Sequence, residues 1–247
     1  AALLRKRSLR QWRVAVAHTT PQERRNSNEV VLGYNEQQAR TEAARCLDCH
    51  KICSLCVSVC PNLALQTWQN EPFTVDLADL RLGPGGVDRH PGRPWSVAQA
   101  FQIAVLTDLC NECGNCTTFC PTAGVPWRDK PRLYLDRHEF LAQQDNAFML
   151  FRQADAWAME SRWQNQTHRI EMNGSLHYSG PLFSARLDPL TFAAAHVEVT
   201  AAARVGDRLP LEPAATMFVL QNGLRKSLPH LPAALPAEVA DAGRIPH

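Results

Sequence analysis

Nine cysteines, every one between positions 46 and 120, constrain this chain more than any other feature. They are Cys46, Cys49, Cys53, Cys56, Cys60, Cys110, Cys113, Cys116 and Cys120, and the rest of the 247 residues contain none. An odd number packed this closely is poor material for a disulfide scaffold; it points to thiolates held reduced for metal. Such thiols belong in a reducing compartment, so the expected location is the cytosol.

The second half of the set is regular. Cys110-Asn-Glu-Cys113-Gly-Asn-Cys116-Thr-Thr-Phe-Cys120-Pro121 fits C-x2-C-x2-C-x3-C-P without deviation, the spacing used for [4Fe–4S] cubanes. Two-residue gaps let three thiolates wrap successive corners of one cubane while backbone N–H groups point at its sulfides. The fourth cysteine sits on a diverging segment and reaches the other cluster. Pro121 supplies no N–H where the backbone breaks away, and Gly114 permits close approach of backbone to cluster.

The first half is less regular. Cys46-x2-Cys49-x3-Cys53-x2-Cys56-x3-Cys60-Pro61 ends on the same template. Its first ligand is then Cys49, displaced by one extra residue, with Cys46 left over as an alternative; spacing alone does not choose between them. Crossed ligation assigns Cys49, Cys53, Cys56 and Cys120 to one cubane. It assigns Cys110, Cys113, Cys116 and Cys60 to the other.

Competing readings are weaker. A zinc ribbon of Cys46, Cys49, Cys110 and Cys113 would leave five thiols without a role and would not explain two C-x3-C-P endings. His50, inside the first motif, reads as a surface histidine tuning the local field rather than as a ligand. His90, His138, His168, His177 and His196 are scattered without ligand spacing. Arg128, Asp129 and Lys130 could form a docking surface or an ordinary solvated turn. Trp68, Trp95 and Trp127 suit either shielding of clusters from water or plain core. There is no G-x-G-x-x-G, Walker loop or nucleophile elbow, so no catalytic substrate site is expected.

Composition narrows the rest. Apolar residues at 45% and charged residues at 20% describe an ordinary folded chain. A net charge of +2 gives no argument for nucleic acid. No stretch approaches the roughly 18 apolar residues of a membrane span. The opening AALLRKRSLRQWRV has neither initiator Met nor apolar h-region, which predicts a piece of something longer rather than a signal peptide. Its run of basic residues reads as a solvated face, with an acidic docking partner as the other option.

The expected fold is α+β in four parts. Residues 1–45 form a helical lead-in, with Asn35 capping a helix from Glu36 and a Glu36–Arg40 pair on its surface. Residues 46–130 form a bacterial-type two-[4Fe–4S] ferredoxin-like domain with an inserted loop over 61–109. In that insert GPGG (83–86) and HPGRP (90–94) read as turns, and WSVAQAFQIAVL (95–106) as a helix. Residues 131–228 form a small, mostly β region: RLYLD, AFMLF and HVEVT are strands, and Asn173-Gly174 is the type I′ turn of a hairpin. ATMFVLQNGL suits helix or strand, and 229–247 is a loose tail.

These residues carry a family resemblance. YNEQQARTEAARCLDC resembles the segment that opens the iron–sulfur domain of the glutamate synthase small-chain family. The closer similarity is to the C-terminal part of the selenate reductase iron–sulfur subunit family. There a five-cysteine run like RCLDCHKICSLCVSVCPN precedes a motif like LCNECGNCTTFCP, then G-x-P-x-x-DK, here Gly124 to Lys130. It covers about residues 30–150. The resemblance implies FAD and NAD(P) on a preceding module or a partner, and a redox partner that could be a molybdenum enzyme. The expected function is electron transfer through two [4Fe–4S] clusters within a flavin/NAD(P)-linked oxidoreductase. The alternative is a structural or interaction module stapled by zinc or an inert cluster.

Overall fold

The computed structural model describes residues 2–46, 53–153 and 156–228. Cys49, His50 and the expected tail at 229–247 lie outside them. The chain divides into two units, Ala1–Cys53 and Ser54–His247.

In the first unit, α1 (Ala2–Ser8) and α2 (Glu36–Ala44) are short helices, and between them His18 bridges Val31. The continuous helical lead-in is therefore corrected to two helices joined by non-helical chain. The start of α2 is as expected. Asn35 Oδ1 accepts from the Gln38 N–H at 2.8 Å, and Gln38 Oε1 accepts from the Asn35 N–H at 3.0 Å. This reciprocal box satisfies two otherwise orphaned donors. Arg40 pairs with Glu36 at 2.7 Å. None of the described side chains of this unit is buried.

The second unit starts with α3 (Leu55–Ser58), then β1 (Leu65–Gln69), β2 (Phe73–Gly83), β3 (Gly86–Val97) and β4 (Phe101–Leu106). A 3-10 turn at Thr107–Leu109 leads to α4 (Asn115–Thr118), α5 (Pro126–Asp129), β5 (Arg132–Leu133) and α6 (Arg137–Leu141). There follow β6 (Ala147–Gln153), β7 (Ala156–Trp163), β8 (Gln166–Met172), β9 (Leu176–Ser179), β10 (Phe183–Leu187), β11 (Ala194–Val199), β12 (Arg208–Leu209) and α7 (Glu212–Ser227). Nine strands form one sheet in the order β1-β4-β5-β6-β7-β8-β9-β10-β11, and β12-β2-β3 form a second. The boundary expected near 131 is corrected: β4 pairs in parallel with β5, so one sheet runs through it.

Three local readings are also corrected. Residues 101–106 are a strand, not a helix: Ile103, Ala104, Val105 and Leu106 are all buried. A strand covered on both faces reads as a continuous apolar run, which periodicity cannot separate from a helix. HPGRP lies within β3, an edge strand, where prolines are tolerated because the outer N–H groups have no ladder partner. There Leu77 pairs Arg93 and Asp79 pairs His90, so Pro91 and Gly92 bulge opposite Ala78. A Cβ on Gly92 would overlap the Leu77 backbone. The 61–109 insert is thus four strands, while GPGG is the β2–β3 turn. The third correction concerns Asn173-Gly174. Met172 pairs Leu176, which leaves a three-residue loop with only Gly174 at positive φ (85°). A two-residue turn with both positions at positive φ occurs instead at Gln164-Asn165 (50° and 60°).

ATMFVLQNGL is helical, within α7. Pro213 suits the first turn, where its missing N–H has no helical partner to lose, while Glu212 at the start and Arg225 and Lys226 at the end suit the helix dipole. Its Ala214, Met217, Leu220 and Leu224 join Trp68, Leu106, Phe148, Ile170 and the β2 residues Val75, Leu77 and Leu80 in the main core. A second core lies on the other sheet face, where Phe140 of α6 meets Met149 and Phe151. A third joins Leu65, Ile103 and Val105 to Cys56 and Cys116. On β4, Ala104 and Leu106 face α7 while Ile103 and Val105 face the cysteines.

His168 of β8 is 3% exposed, and its Nδ1 lies 2.8 Å from the Tyr178 hydroxyl. Burial drives its pKa down to about 4, so the ring is neutral in the fold. An unfolded histidine titrates near about 6.5. Stability from this group is full above that value and is lost as pH falls toward 4, because the unfolded chain then binds the extra proton. The expected loss is on the order of 1–3 kcal/mol. Urea melts at pH 7 and pH 5 should show it, and His168→Gln should shrink the difference.

Candidate metal centre

The two cysteine motifs fold alike, sixty residues apart. In each, a one-turn helix carries the third template cysteine: Cys56 on α3 and Cys116 on α4, both buried. The turn opens on equivalent bonds, Val57 and Ser58 N–H to the Ser54 carbonyl and Thr117 and Thr118 N–H to the Gly114 carbonyl. After the C-x3-C-P ending the chain takes a left-handed residue in both, Leu63 (φ 55°) and Ala123 (φ 53°). That twist turns the next N–H back onto sulfur. Ala64 N–H donates to Cys60 Sγ at 3.3 Å, and Gly124 N–H donates to Cys120 Sγ at 3.3 Å. Donors of this kind favour a charged sulfur and tune a bound metal.

One small hollow is lined by Cys60, Cys110, Cys113 and Cys116, with Leu65 and Trp127 as its apolar walls. Gly114 lines it too, at φ 81°. Cys60 comes from the first motif and the other three from the second, which is the grouping that crossed ligation requires. Trp127 packs on this cluster of side chains, whereas Trp68 is buried in the main core and Trp95 packs against it. Of the three tryptophans, only Trp127 therefore shields the cysteines.

The thiols are not equivalent. Burial pushes the Cys110 thiol up, and neighbouring Cys60, Cys116 and Glu112 add to the rise against one backbone N–H. A partly buried sulfur such as that of Cys110 resists ionising unless a cation is supplied. Cys120 is pulled down, first by the Thr122 hydroxyl, then by the N–H groups of Thr122 and Gly124 and by Lys130. Soft thiolates in such a set select copper(I), zinc or iron–sulfur units over hard cations. Among the described residues, no three His, Cys, Asp or Glu side chains converge as a single ion would need.

The other expected ligands stand differently. Cys46 is exposed and Cys53 half-buried, both in the first unit. Cys56 and Cys120 are in the second, and Cys49 lies outside the described residues, so only one of the two expected ligand sets is brought together here. Among the described residues no cysteine is in a disulfide. Asp129 is occupied locally, accepting from the Val125 N–H at 2.9 Å and pairing with Arg128. Sequence reasoning missed Thr122, Ala64 and Gly124 as sulfur partners; their signal was position, two or four residues beyond a C-x3-C-P cysteine.

No family model matches the chain, and no solved structure matches it. The chain is similar to proteins named "Putative oxidoreductase YgfK" from Escherichia coli K12 and from Escherichia coli O157:H7, at 37% identity over 109 residues in each case. The matched stretch is 44% of this chain and 8% of the relative, so the chain spans less than a tenth of the proteins it resembles. The similarity is consistent with a redox role. Among the described residues no helix is long and apolar enough to cross a membrane.

Proposed function

We propose that this chain is the electron-transfer segment of a larger flavin/NAD(P)-linked oxidoreductase and that it holds two [4Fe–4S] clusters. The observation that carries the reading is that Cys60 lines one hollow together with Cys110, Cys113 and Cys116. Cys60, Cys110, Cys113 and Cys116 hold one cubane; Cys49, Cys53, Cys56 and Cys120 hold the other, with Cys46 as the alternative first ligand. A cubane held by these sulfurs would supply one-electron redox chemistry. Ala64 and Gly124 N–H groups spread the charge on their sulfurs, which raises the reduction potential. Leu65 and Trp127 keep water from the sulfur cage. The two motifs form a ferredoxin-like core, and FAD and NAD(P) reside on a preceding module or a partner subunit, with a molybdenum enzyme as one electron acceptor in keeping with the family resemblance.

Iron and acid-labile sulfide on anaerobically prepared protein test this directly. About eight of each per chain, with visible absorbance that dithionite bleaches reversibly, is the expected result. Zinc without colour would sink the reading, since a zinc staple carries no electrons.

A further inference from the structure

Cys110, Glu112 and Trp127 line two hollows at once: the cysteine cradle and a neighbouring open cleft of about 250 Å³. Register places this cleft on the cysteine side of the sheet. Val105, Arg132 and Ala147 are cross-strand partners and share a face, so Arg132 lies between the cysteine cluster and the α6 core.

The cleft is built on the sheet. Thr107 Oγ1 donates to the Leu133 carbonyl at 2.7 Å, and the Asp108 carboxylate accepts from the Leu135 N–H at 3.1 Å, which ties the loop before Cys110 to the segment after β5. Buried Tyr134 forms one wall. Arg132 forms another, donating to Gln143 Oε1 at 3.0 Å and to the Asp145 carbonyl at 3.2 Å, with its guanidinium 5.6 Å from the Tyr134 ring centroid. All three of those partners are neutral. Around it stand three exposed carboxylates, Asp108, Glu112 and Glu139. Three negative charges against one positive charge make the mouth acidic. Small-molecule pockets are mostly apolar; a charged lining suits steering of a charged protein surface.

We propose that this cleft is the electron-exchange mouth of the Cys60/Cys110/Cys113/Cys116 site and that it receives a lysine- or arginine-rich surface of a redox partner protein. The inference rests on the cluster reading above and adds the partner's charge and place of contact. A reduced cluster held there would give one electron to the partner's one-electron centre and be oxidised by it, with no bond made or broken at the cleft.

Cytochrome c, a lysine-rich haem protein, is the probe. The holoprotein is reduced with dithionite, freed of excess reductant and mixed with ferric cytochrome c. In parallel, carbodiimide cross-links between the two proteins are mapped by mass spectrometry. Cross-links should concentrate on Asp108, Glu112 and Glu139 and vanish at high salt. Glu139→Gln should slow haem reduction severalfold at low salt with iron content unchanged. Glu139→Lys should slow it as well. Cross-links elsewhere, or rates indifferent to these substitutions in fully loaded protein, would overturn the proposal. If iron is absent but the cross-links stay on the three carboxylates, the docking surface stands and the cluster reading falls. Iron absent together with scattered cross-links would overturn both.

Discussion

Replacing Cys60 with alanine is expected to empty the same cluster as replacing Cys116, although fifty-six residues separate them. Each single variant should fall from about eight irons per chain to about four. The double variant Cys60→Ala/Cys116→Ala decides the matter. If both sulfurs serve one cubane, the second substitution removes nothing further and about four irons remain. If each motif holds its own cluster, the double variant falls toward zero. The geometry favours the first outcome, because Cys60 shares its hollow with Cys110, Cys113 and Cys116. Iron and sulfide analysis of the three variants, purified anaerobically, reads the answer.

The second large effect concerns the sheet. Phe183 of β10 is 1% exposed and lies 4.9 Å from the Tyr178 ring, centroid to centroid, within the main core. Phe183→Ala should cost about 3–5 kcal/mol, the usual toll of deleting a buried aromatic ring. Whole domains hold only about 5–15 kcal/mol, so the variant sits near its unfolding threshold. The effect should reach the cysteines although Phe183 is far from them in sequence. Trp68 of β1 and Leu106 of β4 belong to the same apolar core as Phe183, and those strands back the cradle. The denaturation midpoint of metal-free protein should drop sharply, and iron loading at 37 °C should fall with it. A variant that lost stability yet loaded normally would show that the cradle folds independently of the sheet.

What the sequence revealed follows the range of the interactions involved. The cysteine motifs and the Asn35–Gln38 box were legible because their partners lie within a few residues of one another. The grouping of Cys60 with the second motif was legible for a different reason: the spacing template encodes it. The strand at 101–106 was not. The main core buries one of its faces and the cysteine cluster the other, and pairing with β1 and β5 turns an apolar run from helix-compatible to strand. Pro91 and Gly92 misled in the opposite sense. They mark a bulge on an edge strand, where a missing donor and a missing Cβ are tolerated or required, and local chemistry alone reads them as loop. The acidic cleft was invisible because Asp108, Glu112 and Glu139 become neighbours only when β5 is laid between β4 and β6.

Gln69 at the end of β1 donates its N–H to Ser227 Oγ at 2.8 Å, across 158 residues of chain. Gly223, also on α7, leaves the space that the Trp68 ring fills, since a Cβ there would overlap the indole. The strand that carries Leu65 into the cysteine hollow is therefore anchored by a helix whose contact residue lies 158 positions further along the chain. Closure over so long a loop is slow and comes late. Until then the thiols lack their finished walls and stand open to oxidation or to the wrong metal. For the proposed clusters, the expected order of biogenesis is polypeptide first and inorganic cargo afterwards, once synthesis has passed α7.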